Sequence, residues 1–116
     1  MNLVARPWGT FAVLHSNPDY VVKEIRVLPG HRLSLQSHVH RSESWTIVSG
    51  EALITLGEVE LVGGALGQVF IPCGVKHRIK NTSERNDLVI VEVQLGAVLD
   101  EADIVRYEDD YQRSTE

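Results

Sequence analysis

The sequence predicts an all-β domain, an antiparallel sandwich or barrel, because short β-branched runs recur along the chain with Gly and Pro between them. No long helical period interrupts them before the C-terminus. The first run, Tyr20 to Val27, places Val21, Ile25 and Val27 on one face at period two, with Lys23 among them. Pro29-Gly30 then turns the chain. Leu33 to His40 reads as extended, with Ser34, Gln36, His38 and His40 on one face and Leu33 and Leu35 on the other.

Trp45 to Val48 is the next strand, ending at Ser49-Gly50, and Ala52 to Leu56 leads through the tight turn Gly57-Glu58 into Val59 to Val62. Val69 to Ile71 follows Gly63-Gly64, and the Pro72-Cys73-Gly74 turn delivers the strand His77 to Asn81. A polar loop from Thr82 to Asp87 precedes the β-rich run Leu88 to Gln94. Only Asp100 to Tyr111 reads differently, as a short acidic helix capped by Asp100 or an irregular tail.

A chain of 116 residues with 43% apolar and 23% charged residues makes one globular domain, expected to span residues 1–116 with its core at about 20–96. The net charge of -5 argues against nucleic acid as a partner, which demands a broad basic surface. A single cysteine, Cys73, excludes an intrachain disulfide and fits a reducing compartment. With no apolar run long enough for a bilayer and no secretory pattern, the expectation is a cytoplasmic protein that does not engage membranes. Sheet edges and apolar sheet faces are commonly hidden by pairing, so a homodimer is expected.

The densest chemistry lies between Gly30 and Gly50. Gln36 and His38 project from one face, Glu43 lies across a turn, and His77 arrives from a distant hairpin. Imidazole nitrogen with a carboxylate suits a divalent borderline metal, and the alternative is four polar residues satisfying one another inside a barrel. Cys73 is read as a small buried residue rather than a thiolate ligand. Trp8 and Trp45 are read as core or interface, with Trp45 on the face of Glu43 and able to border a pocket.

Spacing narrows the assignment. Gly30, five residues, Gln36, one residue, His38, four residues, Glu43, six residues, Gly50 resembles the first motif of the cupin superfamily, with Gln in place of the first His. Pro72-x-Gly74-x-x-His77-x-x-x-Asn81 resembles the second, although Gly67 stands one residue closer to Pro72 than in the usual pattern. The strings Arg6-Pro-Trp-Gly9, Tyr20-x-Val-Lys23, Leu33-Ser-Leu-Gln36-x-His38-x-His40-Arg-Ser-Glu43-x-Trp45, Glu92-Val-Gln94-x-Gly96 and Asp103-Ile-x-Arg106 are similar to type II mannose-6-phosphate isomerases. The likeness runs from about Arg6 to Arg113, and departs from the family where Tyr111-Gln112-Arg113 stands for Tyr-Gly-Arg.

The resemblance implies a cupin double-stranded β-helix, the jelly-roll barrel, and a metal held by Gln36, His38, Glu43 and His77. Zinc is the implied ion, while iron, manganese, cobalt and nickel suit the same donors. It further implies interconversion of mannose 6-phosphate and fructose 6-phosphate through an enediolate, which needs a proton carrier, an oxyanion stabiliser and a phosphate anchor. His40, Lys23 and Glu92 are the catalytic candidates, and Ser34, Arg41, Arg78 and Gln94 the substrate-binding ones.

Each has a plainer alternative. Lys23 is a cation near the metal or a lysine snorkelling at a sheet edge. His40 is an acid or base, or a rim histidine. Glu92 and Gln94 line the cavity or face solvent or a partner subunit. Arg41 and Arg78 bind phosphate only if local turns re-aim them, because strict alternation after His40 and His77 turns them outward. Ser34 binds a sugar hydroxyl or satisfies local backbone. Two other functions compete with the isomerase: a cupin module that binds a sugar or sugar phosphate without turnover, and a metal-dependent cupin oxygenase.

Overall fold

The computed structural model describes residues 2–111. Its strands are β1 (Leu3–Arg6), β2 (Gly9–Ser16), β3 (Tyr20–Val27), β4 (Leu35–Ser37), β5 (Arg41–Ser49), β6 (Ala52–Leu56), β7 (Val59–Gly63), β8 (Gln68–Ile71), β9 (His77–Asn81), β10 (Leu88–Gly96) and β11 (Val105–Glu108). They form a six-stranded sheet in the order β1-β2-β3-β10-β5-β8 and a five-stranded sheet in the order β11-β4-β9-β6-β7. All pairings between named strands are antiparallel, as in a jelly roll.

One apolar core joins the sheets. Ile25, Val27, Trp45, Ile47 and Ile90 meet Leu33, Ala52, Ile54 and Ile79 from the other side, and Trp8 belongs to the same cluster. In β3 the alternation is as expected: Val21, Lys23, Ile25 and Val27 are buried in turn. The tight approach of β2 to β3 explains Gly9, whose φ is +153° and whose missing Cβ would lie 1.9 Å from the carbonyl oxygen of Arg26.

Two expectations are corrected. There is no helix among the described residues after Asp100. The Asp100 carboxylate accepts from the amide of Ala102, which makes a local turn, and the chain continues as β11 against β4. An otherwise unpaired edge of β4 supplies the ladder that outweighs the weak helical propensity of this acidic segment. The extended stretch from Leu33 to His40 is likewise broken. Only Leu35–Ser37 is strand, and Leu33 and Ser34 are both buried, as are Ser37 and His38, so the two-residue period fails there. The amides of Val39 and His40 donate to the carboxylate of Asp103 at 2.8 and 2.9 Å, which turns the chain before β5 begins. Gln112 and Arg113, where the sequence departs from its resemblance, lie outside the described residues.

Candidate metal centre

Three strands supply three buried donors. His38 leaves the end of β4, Glu43 stands inward on β5 and His77 opens β9, and one ligand atom from each falls within 4.8 Å of the others. The orientation of both imidazoles is fixed from outside. His38 Nδ1 donates to the carbonyl of Asp103 at 2.7 Å, and His77 Nδ1 donates to that of Val75 at 2.9 Å. A proton on Nδ1 leaves each Nε2 with its lone pair turned toward Glu43, an outer arrangement found behind metal-binding histidines.

The donor set fits a cation. His38 Nε2 stands 3.1 Å from Glu43 Oε2, and His77 Nε2 stands 3.8 Å from Glu43 Oε1. Two acceptors so close need a positive centre between them, a proton or a metal ion. His77 Nε2 is also fully buried with no hydrogen-bond partner, which is costly for a polar atom unless a ligand meets it. Burial pushes the His77 imidazole below its ordinary value, keeping it neutral and able to ligate.

Glu43 is fully buried and held on two sides: Trp45 Nε1 donates to Oε1 and Arg41 Nε to Oε2, each at 2.9 Å. Burial acts to raise its pKa. When a proton rather than a metal ion sits between His38 and Glu43, hydrogen bonds from His38 and Glu92 and the charges of His38 and Arg41 overcome that and hold it well below the carboxylate range. Trp45 also sets its ring edge against His77, with centroids 5.6 Å apart. It therefore borders the site.

Gln36 is paired with His77 in the β4–β9 register, and its Oε1 accepts the Ser34 hydroxyl at 2.8 Å. Ser34 is buried and engaged in orienting that amide. Beside the cluster lies a cavity of about 170 Å³ lined by Gln36, Arg41 and Glu92, and by Lys23, Arg6 and Arg106.

Glu92 and Gln94 are both buried, but only Glu92 lines the cavity, and Gln94 Nε2 donates to Glu92 Oε2 at 3.2 Å. Burial, then the charge of Glu43 and a hydrogen bond to it, push the Glu92 carboxyl well above its usual range. One proton thus serves two neighbouring carboxyl groups. Because the folded pKa lies above the unfolded one, this group's stability contribution is complete below about 4.5 and is lost as pH rises. Glu92→Gln in metal-free protein is therefore expected to gain stability over wild type progressively from pH 5 to pH 8, read as urea midpoints.

Arg41 corrects the phase inferred from the sequence. Because the chain turns between His38 and Arg41, Arg41, Glu43, Trp45 and Ile47 share the inward face of β5. His40 is exposed on that turn, while His38 is buried, and it neither joins the three-donor cluster nor lines the cavity. Arg78 is also buried, but its Nε donates to the Leu33 carbonyl and its Nη1 to Glu108, so it braces β9 against neighbouring segments and does not line the cavity. Cys73 is exposed, not buried, with its sulfur 3.5 Å from the Ser42 hydroxyl. Arg6, Arg106 and Phe11 enter the cavity without having been singled out as site residues. The signal for the two arginines lay in the strings Arg6-Pro-Trp-Gly9 and Asp103-Ile-x-Arg106.

Residues 1–109 match the family described as Mannose-6-phosphate isomerase C-terminal. The chain is 46% identical over 111 residues to the xanthan biosynthesis protein XanB of Xanthomonas campestris pv. campestris, covering 96% of this chain and 24% of that protein. It is 44% identical over 105 residues to a mannose-1-phosphate guanylyltransferase of Salmonella muenchen, covering 90% of this chain and 22% of that one. The chain thus spans about a quarter of the length of these relatives or slightly less. The cupin domain of Schizosaccharomyces pombe Cnp3 superposes with a TM-score of 0.75 at 18% identity, over 83% of this chain and 69% of that one, a likeness of fold.

Proposed function

This chain belongs to the mannose-6-phosphate isomerase C-terminal family, and on that premise we propose that it is a metal-dependent isomerase interconverting mannose 6-phosphate and fructose 6-phosphate. The observation that carries the reading is the convergence of two tautomer-fixed histidines on one buried carboxylate beside a cation-lined cavity. His38, Glu43 and His77, with Gln36 as the fourth donor, would hold the ion, zinc being the best match to this mixture. When bound, the ion supplies Lewis-acid polarisation of the sugar carbonyl or hydroxyl.

The remaining work falls to the chain. Aldose–ketose exchange moves a proton from one of C1 and C2 to the other and a hydroxyl proton between their two oxygens, and in this reading Glu92 carries the carbon-bound proton. It lines the cavity, and burial and the Glu43 charge raise its pKa well above the carboxylate range, which makes it a stronger base than an ordinary carboxylate. Gln94 orients the Glu92 carboxyl. Arg41 joins the Glu43 carboxylate to the cavity and provides positive charge where the enediolate oxygens develop.

The names and greater length of the relatives favour one second reading, a sugar-phosphate-binding module that works beside a nucleotidyltransferase without turning substrate over. A coupled assay separates the two. Zinc-loaded chain is expected to convert mannose 6-phosphate to fructose 6-phosphate. Calorimetric binding of the sugar phosphate with no conversion would establish the module instead.

A further inference from the structure

One side of the sandwich is left open. β7 is the last strand of the five-stranded sheet and β8 the last of the six-stranded one, so among the described residues both present a free edge. Between them lies an apolar crevice of about 220 Å³, lined by Ile47, Ile54, Leu61 and Val69 with Trp45 at its base. It shares no lining residue with the cavity beside the metal centre.

The rim of this crevice is apolar and uncharged. From Leu61 to Val75 the chain has no charged residue, although 23% of the whole chain is charged. Val62 in β7, Leu66 in the connecting loop and Phe70 in β8 are 89%, 86% and 55% exposed. Sheet edges that stay single in water are commonly guarded by charges, and Glu60 is the single charge on these two strands. Leu66 is also the one residue other than glycine with a positive φ among the described residues, at +73°. That backbone region is costly for a branched side chain. The loop is nevertheless held in place: the Leu66 amide donates to the Ile47 carbonyl at 2.9 Å and the Ile47 amide to the Gly67 carbonyl at 2.8 Å. A glycine would sit there unstrained, and would leave no apolar side chain in water.

We propose that this open edge is the interface of a homodimer, in which a second copy of the chain packs about a two-fold axis and each Leu66 enters the crevice of the other. Two observations select a second copy as the occupant. The edge carries a protruding apolar side chain and, beside it, an unfilled apolar crevice, and a two-fold axis satisfies both at once. An apolar cavity of about 150 Å³ already holds a benzene-sized group, so this crevice accommodates a leucine side chain. Charge points the same way. The chain carries a net charge of -5, so two copies repel across most of their surface, whereas here they meet without opposing like charges.

Sedimentation equilibrium over a range of concentrations, with wild type beside Leu66→Gly and Val62→Asp, tests the proposal. Wild type is expected to be a dimer. Leu66→Gly relieves the backbone and removes the apolar side chain twice per dimer, so it is expected to weaken dimerisation about 100-fold or more. Val62→Asp places a like charge on both sides of the axis and is expected to be monomeric throughout. Circular dichroism and zinc content unchanged from wild type verify that each variant is folded. A wild type that is monomeric at every concentration overturns the proposal, whatever else covers the edge, and so does a dimer whose affinity Leu66→Gly leaves unchanged. Growth beyond the dimer contradicts the closed two-fold. Neither substitution touches the metal centre or its cavity, so the isomerase reading stands or falls separately.

Discussion

Glu43→Gln is expected to strip the protein of its metal and its activity while leaving it folded. The substitution keeps an oxygen for Trp45 Nε1 but removes the charge on which His38, His77 and Arg41 converge. Losing an outer partner of a metal ligand costs about 10-fold to 100-fold in affinity, so losing the sole carboxylate ligand should cost more than about 100-fold. Metal content by element analysis and isomerase rate should fall together. Part of the structural cost is Arg41, left buried beside a neutral amide, so a lowered thermal midpoint is expected as well.

Asp103→Ala should produce the second largest effect although Asp103 contributes no ligand atom. Its carboxylate ties the amides of Val39 and His40, and its carbonyl fixes the His38 imidazole. Removing the side chain keeps the carbonyl in the chain but frees the segment that carries it. Zinc affinity is expected to fall about 10-fold to 100-fold. Asp103→Asn, which retains one acceptor oxygen, should lie between wild type and Ala. A competitive zinc chelator measures all three, and equal affinities across the series would deny Asp103 this positioning role.

The parts of the fold that were legible in the sequence are those where burial alternates cleanly. β3, β5 and β10 each have one face in the core, and their β-branched period shows it. The β1–β2 pair was not drawn from the pattern, because β1 and the outer half of β2 are mostly exposed and leave little alternation to read. β11 is invisible for another reason. Val-Arg-Tyr-Glu becomes strand only because β4 offers it an edge, a preference that resides in the partner and not in the segment.

The site shows the same division. The histidines, Glu43 and Gln36 could be singled out by residue type and spacing, and Glu92 and Gln94 by alternation against the valines of β10. Counting by twos from His38 through His40 carried the wrong phase into β5, because the turn that Asp103 ties resets the register and brings Arg41, not His40, inward. No local pattern announces a hydrogen bond made across 64 residues. Arg6 and Arg106 reach the cavity from opposite ends of the chain, a proximity that only the paired sheets create.

Zinc titration of metal-free protein, with mannose 6-phosphate isomerisation recorded at each addition, tests the account most directly. It predicts activity that rises linearly and reaches its plateau at one ion per chain, with Glu43→Gln flat throughout. Full activity in the metal-free protein, or one tightly bound zinc per chain with no isomerisation at any ratio, would contradict it.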